Sequence, residues 1–142
     1  MNTIQFAKTD DQINFCFPVI NELRPLVKQE YFLMQVRRMQ QEGFMLAYIE
    51  EDKKAVAAAG FRMNELFYRG KSVYVDDLVT LPEYRSKNYG GQLLDWIIQY
   101  AKDQGCKQVH LDSGVQRFDA HRFYLRKKFI ISSHHFQLNL ES

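Results

Sequence analysis

The chain has 142 residues, 46% hydrophobic and 14% aromatic, with 19 Lys and Arg against 17 Asp and Glu and a formal net charge of +2. That charge is too small for a dedicated nucleic-acid binder, whose footprint is a strongly basic face, and the aromatic content excludes disorder, which needs low hydrophobicity or high net charge. A chain of this size buries roughly 68–70% of its unfolded surface, so residues 1–142, with no linker or repeat among them, read as a single domain.

Residues 3–8 alternate apolar and polar side chains and are expected to form a strand. Asp10 and Asp11 supply N-cap chemistry for a helix with Ile13, Phe17 and Ile20 on one face, which Pro18 should kink or restart. A second helix is expected over residues 27–42, with Phe32, Val36 and Met39 at helical spacing and Gly43 just beyond its end. Residues 44–49 and 55–62 flank Glu51-Asp52-Lys53-Lys54 as a hairpin. Residues 72–80 read as a strand. The clearest helix is 89–104, with Leu93, Leu94, Ile97, Ile98 and Ala101 on one face and Gly105 as its stop. Residues 107–111 read as a strand, 119–128 as a helix and 129–140 as a closing β-type run. The order β-α-α-β-β-β-α-β-α-β describes an α/β fold, a mixed sheet with helices on both faces. Within it, the strand, helix and strand of residues 73–111 should make a right-handed parallel crossover. Ligands of such sheets bind outside the carboxyl ends of the strands, beside a helix N-terminus.

No apolar run approaches the ~20 residues that span a bilayer, and the first residues do not read as a secretory signal. Two cysteines, Cys16 and Cys106, make neither a disulfide framework nor a four-Cys zinc site. The expected setting is reducing and cytoplasmic, with no membrane or nucleic-acid partner. Cys106 reads as a small buried hydrophobe. His134 and His135 point to opposite faces of any strand, and His110 and His121 lack ligand partners at suitable spacing, so no metal is expected. The cluster Arg117, Arg122, Arg126, Lys127 and Lys128 reads as a solvated helix face.

The turn before the clearest helix is Pro82-Glu83-Tyr84-Arg85-Ser86-Lys87-Asn88-Tyr89-Gly90-Gly91. A helix start carries amides without intrahelical partners and about half a positive charge, and so binds anions. Gly90 and Gly91 admit a close approach, Arg85 and Lys87 supply charge, and Asn88 tolerates a left-handed conformation. Neither a P-loop nor a three-glycine dinucleotide fingerprint is present. By itself the loop fits an ordinary helix start with surface charges equally well.

Arg85-Ser86-Lys87-Asn88-Tyr89-Gly90 resembles the coenzyme A signature [QR]-x-x-G-x-[GA] of the GNAT superfamily of N-acetyltransferases. Arg85 matches its first position and Gly90 its last, and Asn88 stands where glycine is usual. Upstream, Tyr74-Val75-Asp76-Asp77-Leu78-Val79 followed by Pro82-Glu83-Tyr84-Arg85 resembles the family's fourth strand running into that loop. Downstream, Ala120-His121-Arg122-Phe123-Tyr124 followed by Phe129 resembles its last helix and the next strand, with Arg117 where Asn is common and Lys128 where Gly is. The resemblance covers residues 72–136.

It implies transfer of an acetyl group from acetyl-CoA, as cosubstrate, to a primary amine of a small molecule or protein by direct attack in a ternary complex. An alkyl ammonium of pKa ~10.4 is neutral in only about one molecule in 2,500 at pH 7, a handicap of ~4.6 kcal/mol, so the site must remove a proton. By the resemblance, Asp76 is the base, directly or through a water. Asp77, a substrate-binding candidate, is placed on the other face by strand alternation, and either of the two is open to the alternative role of orienting the ammonium. Without the resemblance the two read as solvated carboxylates. Tyr124 is implied as the acid for the departing thiolate, and the backbone amide of Val79 as the oxyanion donor. Leu78, Val79 and Thr80 would pair with pantetheine, and Arg85, Ser86, Lys87, Asn88, Tyr89, Gly90 and Gly91 would hold the diphosphate. Ser113 would line the same gap. Tyr31 and Phe32, in the segment 24–34, would wall the acceptor pocket. A homodimer is compatible with this reading. The alternatives are a non-catalytic acyl-CoA-binding sensor or regulatory module, and an unrelated anion-binding module in an α/β fold.

Overall fold

Five strands pair in chain order, β1 (Ile4–Phe6), β2 (Phe44–Glu51), β3 (Lys54–Leu66), β4 (Gly70–Thr80) and β5 (Gln108–Leu111). The structure, a computed structural model, describes residues 3–141. Its contacts separate into one unit over Met1–His110 and a second over Leu111–Ser142. The first three strand pairings are antiparallel. β2 turns into β3 through Asp52 and Lys53, both at positive φ (54° and 60°), the backbone of a tight two-residue hairpin loop. β5 runs parallel to β4: the Lys107 amide donates to the Lys71 carbonyl at 2.8 Å, and His110 meets Ser72 and Tyr74. Partners therefore advance together along both strands, as the expected crossover requires.

The helices start and stop for local reasons. α1 (Asp10–Phe15) is capped by Thr9, whose hydroxyl accepts from the Gln12 amide while the Gln12 side chain accepts from the Thr9 amide. Asp10 and Asp11, expected at the cap, occupy the first turn instead, where the helix dipole favours them. Pro18 restarts the chain as α2 (Phe17–Leu23), sitting in the first turn where its missing amide is harmless. α3 (Gln29–Gln40) buries Phe32 and Val36. The first three helices cover one sheet face, joining Phe44, Leu46, Tyr48, Ala58 and Val79 in a single core. α4 (Tyr89–Asp103) covers the other, packing Trp96 and Tyr100 against Phe6 and Phe61. Residues 55–61 of β3 are consequently buried without a break.

β3 and β4 slip register between Gly60 and Phe61. Gly60 faces Asp77 and Phe61 faces Val75, which leaves Asp76 as the extra residue of a β-bulge. The bulge changes which side chains share a face. Tyr74 is opposite Arg62 and Asp77 is opposite Gly60. Gly60 and Arg62 lie two apart on one strand, so Tyr74 and Asp77 look the same way although they are three apart.

β4 leads through a 3-10 turn (Pro82–Lys87) into α4, and Asn88 joins the two in the left-handed region at φ 61°, ψ 29°. The residue standing where glycine is usual thus takes the glycine-like conformation. Its side chain leans over Gly91, where an added Cβ would lie 2.3 Å from Asn88 Oδ1.

In the second unit, α5 (Phe118–Arg126) ends in a Schellman motif. The Phe129 amide donates to the Tyr124 carbonyl at 3.1 Å and the Lys128 amide to the Leu125 carbonyl at 3.0 Å. Lys128 takes the left-handed position at φ 72°, and the Tyr124 and Phe129 rings meet across the motif with centroids 5.9 Å apart. The closing β-type run expected over residues 129–140 is not a strand here. Alternation alone does not make one: a strand needs a ladder partner, and the described sheet ends with β5.

Cys16 is fully buried, and burial pushes its thiol up to about 12, whereas Cys106, expected inside, is half-buried. A thiol reagent at neutral pH should therefore titrate one cysteine in the native protein and both after denaturation. Rapid labelling of both in the native state would contradict this packing. Lys128→Gly should relieve a non-glycine left-handed residue and raise unfolding stability by about 1 kcal/mol. A loss of stability on denaturant unfolding would speak against the helix end as described.

Candidate functional site

The bulge gathers charge on one sheet face. The Asp76 carboxylate accepts from Arg62 Nε at 3.0 Å, and the Asp77 carboxylate accepts from Arg24 Nε at 2.8 Å. Arg24 Nη2 also donates to the Asp76 carbonyl at 3.0 Å. Alternation was expected to put the two aspartates on opposite faces; the extra residue defeats it, and Asp77 turns onto the face it shares with Gly60 and Arg62. Burial pushes the Asp76 carboxyl above its ordinary value. Arg62 pulls it down, and the charge of Asp77 adds to the rise. Gly60 makes room for this arrangement: a Cβ there would come within 2.6 Å of Phe44 Cζ and 2.8 Å of Asp77 Oδ2.

Beside the Arg24–Asp77 pair lies a cavity of about 210 Å³. Its apolar wall comes from Phe32, Val36 and Met39 of α3 and from Phe44 and Leu46 of β2, and its charged lining groups are Arg24 and Asp77. Phe32, expected as a wall residue, is 4% exposed and lines the cavity. Tyr31, expected beside it, is 58% exposed at the start of α3 and is not part of that wall. One residue of helix phase separates the two.

Beyond the bulge, β4 offers backbone. The Leu81 amide donates to the Val56 carbonyl at 2.8 Å. Antiparallel alternation then turns the Val79 amide toward β3 as well, and the backbone groups of Leu78 and Thr80 to the opposite side. The Thr80 carbonyl accordingly accepts from Arg85 Nε at 3.2 Å. The expectation that Val79 presents its amide to a ligand is therefore corrected: that amide faces the ladder, and its neighbours' do not.

The turn after β4 has the geometry of an anion corner. The Gln92 amide donates to the Asn88 carbonyl at 3.0 Å, so the amides of Tyr89, Gly90 and Gly91 precede the first intrahelical bond. Space in front of Gly90 is open, the nearest atom to an added Cβ being Thr80 Oγ1 at 3.9 Å. Glu51 anchors the turn, accepting from Lys87 Nζ at 2.5 Å and from the Tyr89 hydroxyl. The bond to Glu51 pushes the Lys87 ammonium above its ordinary value. Arg85 lies 3.9 Å from Glu22, and Ser86 is exposed. The Tyr84 hydroxyl donates to Asp52 at 2.7 Å, which pushes the phenol up to about 12. Outward amides, an open glycine and two flanking cations fit a diphosphate.

Tyr124 and Ser113 belong to the second unit. Tyr124 is half-buried between Phe123 and Phe129. Burial pushes its phenol above the ordinary value, against an opposing pull from Arg117. The Ser113 hydroxyl oxygen is shielded and has no hydrogen-bond partner among the described residues. Among those residues no three His, Cys, Asp or Glu side chains gather as a metal site, and no helix is long and apolar enough to cross a membrane. The residues that sequence reasoning passed over are Arg62, Glu51 and Gly60, and Arg24 was marked only as the start of a segment. Each acts on a partner far along the chain, Arg24 on Asp77 across 53 positions, and no local pattern signals such a pair.

The sequence pattern of the Acetyltransferase (GNAT) family matches residues 8–129. The Bacillus subtilis (strain 168) protein named uncharacterized N-acetyltransferase YhdJ is 37% identical over 123 residues, 85% of this chain and 87% of that one. Aminoalkylphosphonate N-acetyltransferase of Salmonella typhimurium is 40% identical over 55 residues, 39% of this chain and 36% of that protein. Among solved structures, glucosamine-6-phosphate N-acetyltransferase from Arabidopsis thaliana gives a TM-score of 0.79 at 21% identity over 99% of each chain. Aminoglycoside N-acetyltransferase AAC(6')-Iy in complex with CoA gives 0.83 at 12% identity, over 100% of this chain and 97% of that one. The two structures share the fold. The pattern spanning most of the sequence, together with the Bacillus relative, establishes that this chain belongs to the GNAT family of N-acetyltransferases.

Proposed function

We propose that residues 1–142 act as one acetyltransferase domain that moves an acetyl group from acetyl-CoA to a primary amine of a small molecule or protein, by direct attack in a ternary complex. The observation that carries this reading is the bulged strand. It sets the Asp77 carboxylate in a cavity wall with the Asp76 carboxylate next along the strand and continues through the outward backbone of Leu78 and Thr80 into the amide corner of α4.

In this reading the amides of Tyr89, Gly90 and Gly91 hold the diphosphate, with Arg85, Ser86 and Lys87 around it and Asn88 fixing the turn. Leu78 and Thr80 pair with the amide groups of pantetheine as an added strand would, and Ser113 is a further lining residue. Acetyl-CoA, when bound, supplies an activated acyl thioester, and the AAC(6')-Iy complex with CoA supports that choice. Asp77 holds the incoming ammonium. Asp76 takes its proton, directly or through a water, and the rise caused by its burial makes it a better base than an ordinary aspartate. The amide of Leu78, rather than that of Val79, donates to the developing oxyanion, a contact worth ~3–4 kcal/mol in such sites. Tyr124 gives its phenolic proton to the departing thiolate. Burial keeps that proton in place at neutral pH, and the assistance is ~10²-fold or less because a thiolate already leaves well.

Acetyl-CoA at 100 times its Kd should stabilise the protein by about 2.7 kcal/mol, read as a rise in melting temperature, and purified protein should release free thiol with amines. Stabilisation without thiol release would favour the sensor reading. Asp76 works as a base only when ionised, so the acid limb of kcat/KM should lie above the ordinary aspartate range and activity should fall as pH drops through it. Asp76→Asn should lower kcat/KM about 10²-fold at neutral pH and move the profile to higher pH, where the amine is neutral without help. An unmoved profile would remove Asp76 from that role. Tyr124→Phe should lower kcat about 10-fold to 10²-fold with acetyl-CoA affinity retained. Unaltered turnover would exclude it as the acid.

A further inference from the structure

We infer that the acceptor is a small zwitterionic amine: a primary ammonium with a carboxylate or phosphonate on the same carbon, followed by an apolar chain. The inference rests on the acetyl-transfer reading above and specifies its substrate. The cavity presents one cation and one anion, Arg24 and Asp77, already bonded to each other at 2.8 Å. The pair stands at the boundary with water, Arg24 being 50% and Asp77 14% exposed in their side chains. An amine that is only a cation would take Asp77 from Arg24, exchanging one ion pair for another with no gain in their number. A zwitterion replaces one ion pair with two, its ammonium on Asp77 and its anion on Arg24.

Arg24 has the donors for that second pair. Its Nε and Nη2 are engaged with Asp77 and the Asp76 carbonyl, and Nη1 has no hydrogen-bond partner among the described residues. A guanidinium fork matches the planar or tetrahedral oxygens of carboxylate and phosphonate alike. The remaining wall sets the rest of the molecule. Phe32, Val36, Met39, Phe44 and Leu46 line a space of about 210 Å³, below the ~300–1,000 Å³ of ordinary ligand pockets. It fits one aliphatic side chain and offers a second ammonium no carboxylate beyond Asp77.

The test measures thiol release with acetyl-CoA and matched amines: L-leucine, its aminophosphonate analogue, L-leucinamide, 3-methylbutylamine and L-alanine. The expected kcat/KM for one or both acids exceeds that for the amide and the plain amine at least tenfold. Against the amide this should hold even though its α-amino group, beside a neutral carbonyl, is the less basic and more readily deprotonated. Leucine should exceed alanine by about fourfold per methylene removed. The carboxylate and phosphonate arms show which anion the site prefers. Arg24→Gln should bring the acid-to-amine ratio close to one, and Arg24→Lys, a charge without the fork, should leave it in between. If the Gln variant does not fold, the wild-type ratio and the Lys variant decide. Equal turnover of acids and plain amine, or a ratio untouched by the Arg24 changes, overturns the inference and leaves acetyl transfer standing. So does an acetyl-CoA-induced melting shift with turnover of the amide or the plain amine but of neither acid. Absence of both the melting shift and any thiol release overturns the acetyl-transfer reading and this inference with it.

Discussion

The register slip between Gly60 and Phe61 inserts Asp76 as one extra residue in β4, and the arrangement of the site follows from it. Below the slip the strand is an ordinary member of the sheet, pairing with β3 and β5. Above it the parity is reversed, so Asp77 turns toward α2 and α3 and the backbone of Leu78 and Thr80 turns away from β3. The slip depends in turn on Gly60. Any side chain there would collide with Phe44 and with the Asp77 carboxylate, so the residue opposite the bulge has to be one that fills no space.

Two half-buried carboxylates so close together need counter-charge, and two arginines from different parts of the chain supply it. Arg62 comes from β3 and Arg24 from the end of α2. Each pair is partly open to water, so a ligand can exchange with it without stranding an ion in the core. The α4 corner is balanced in the same way. Glu51 holds Lys87 and Tyr89, Glu22 lies near Arg85, and the amides of the helix start remain the outward-facing donors. Charge is thus fixed by internal partners on both sides of β4, and the strand backbone lies between them.

Much of the fold could be read from the residues because the signals are local. Leu93, Leu94, Ile97 and Ala101 mark α4 by spacing, Pro18 marks the break between α1 and α2, and Asn88 is a residue type that tolerates the left-handed conformation it takes. What depended on a distant partner was not legible. The bulge is a property of β3 against β4, so strand alternation put Asp77 on the wrong face, and the resemblance pointed to the Val79 amide, which the ladder with β3 takes up. The alternation of residues 129–140 resembled a strand, yet pairing rather than pattern makes one. Tyr31 and Phe32 were equivalent in composition, and only the phase of α3 against the sheet told the wall residue from the exposed one.

The shared face of the two aspartates is open to direct measurement by following the Asp76 carboxyl carbon through an NMR pH titration in the wild type and in Asp77→Asn. With both carboxylates on one face, the charge of Asp77 raises the Asp76 value, so removing it should lower the titration midpoint. An identical midpoint in the two proteins would mean that the carboxylates do not sense each other, which the bulged geometry of β4 does not allow.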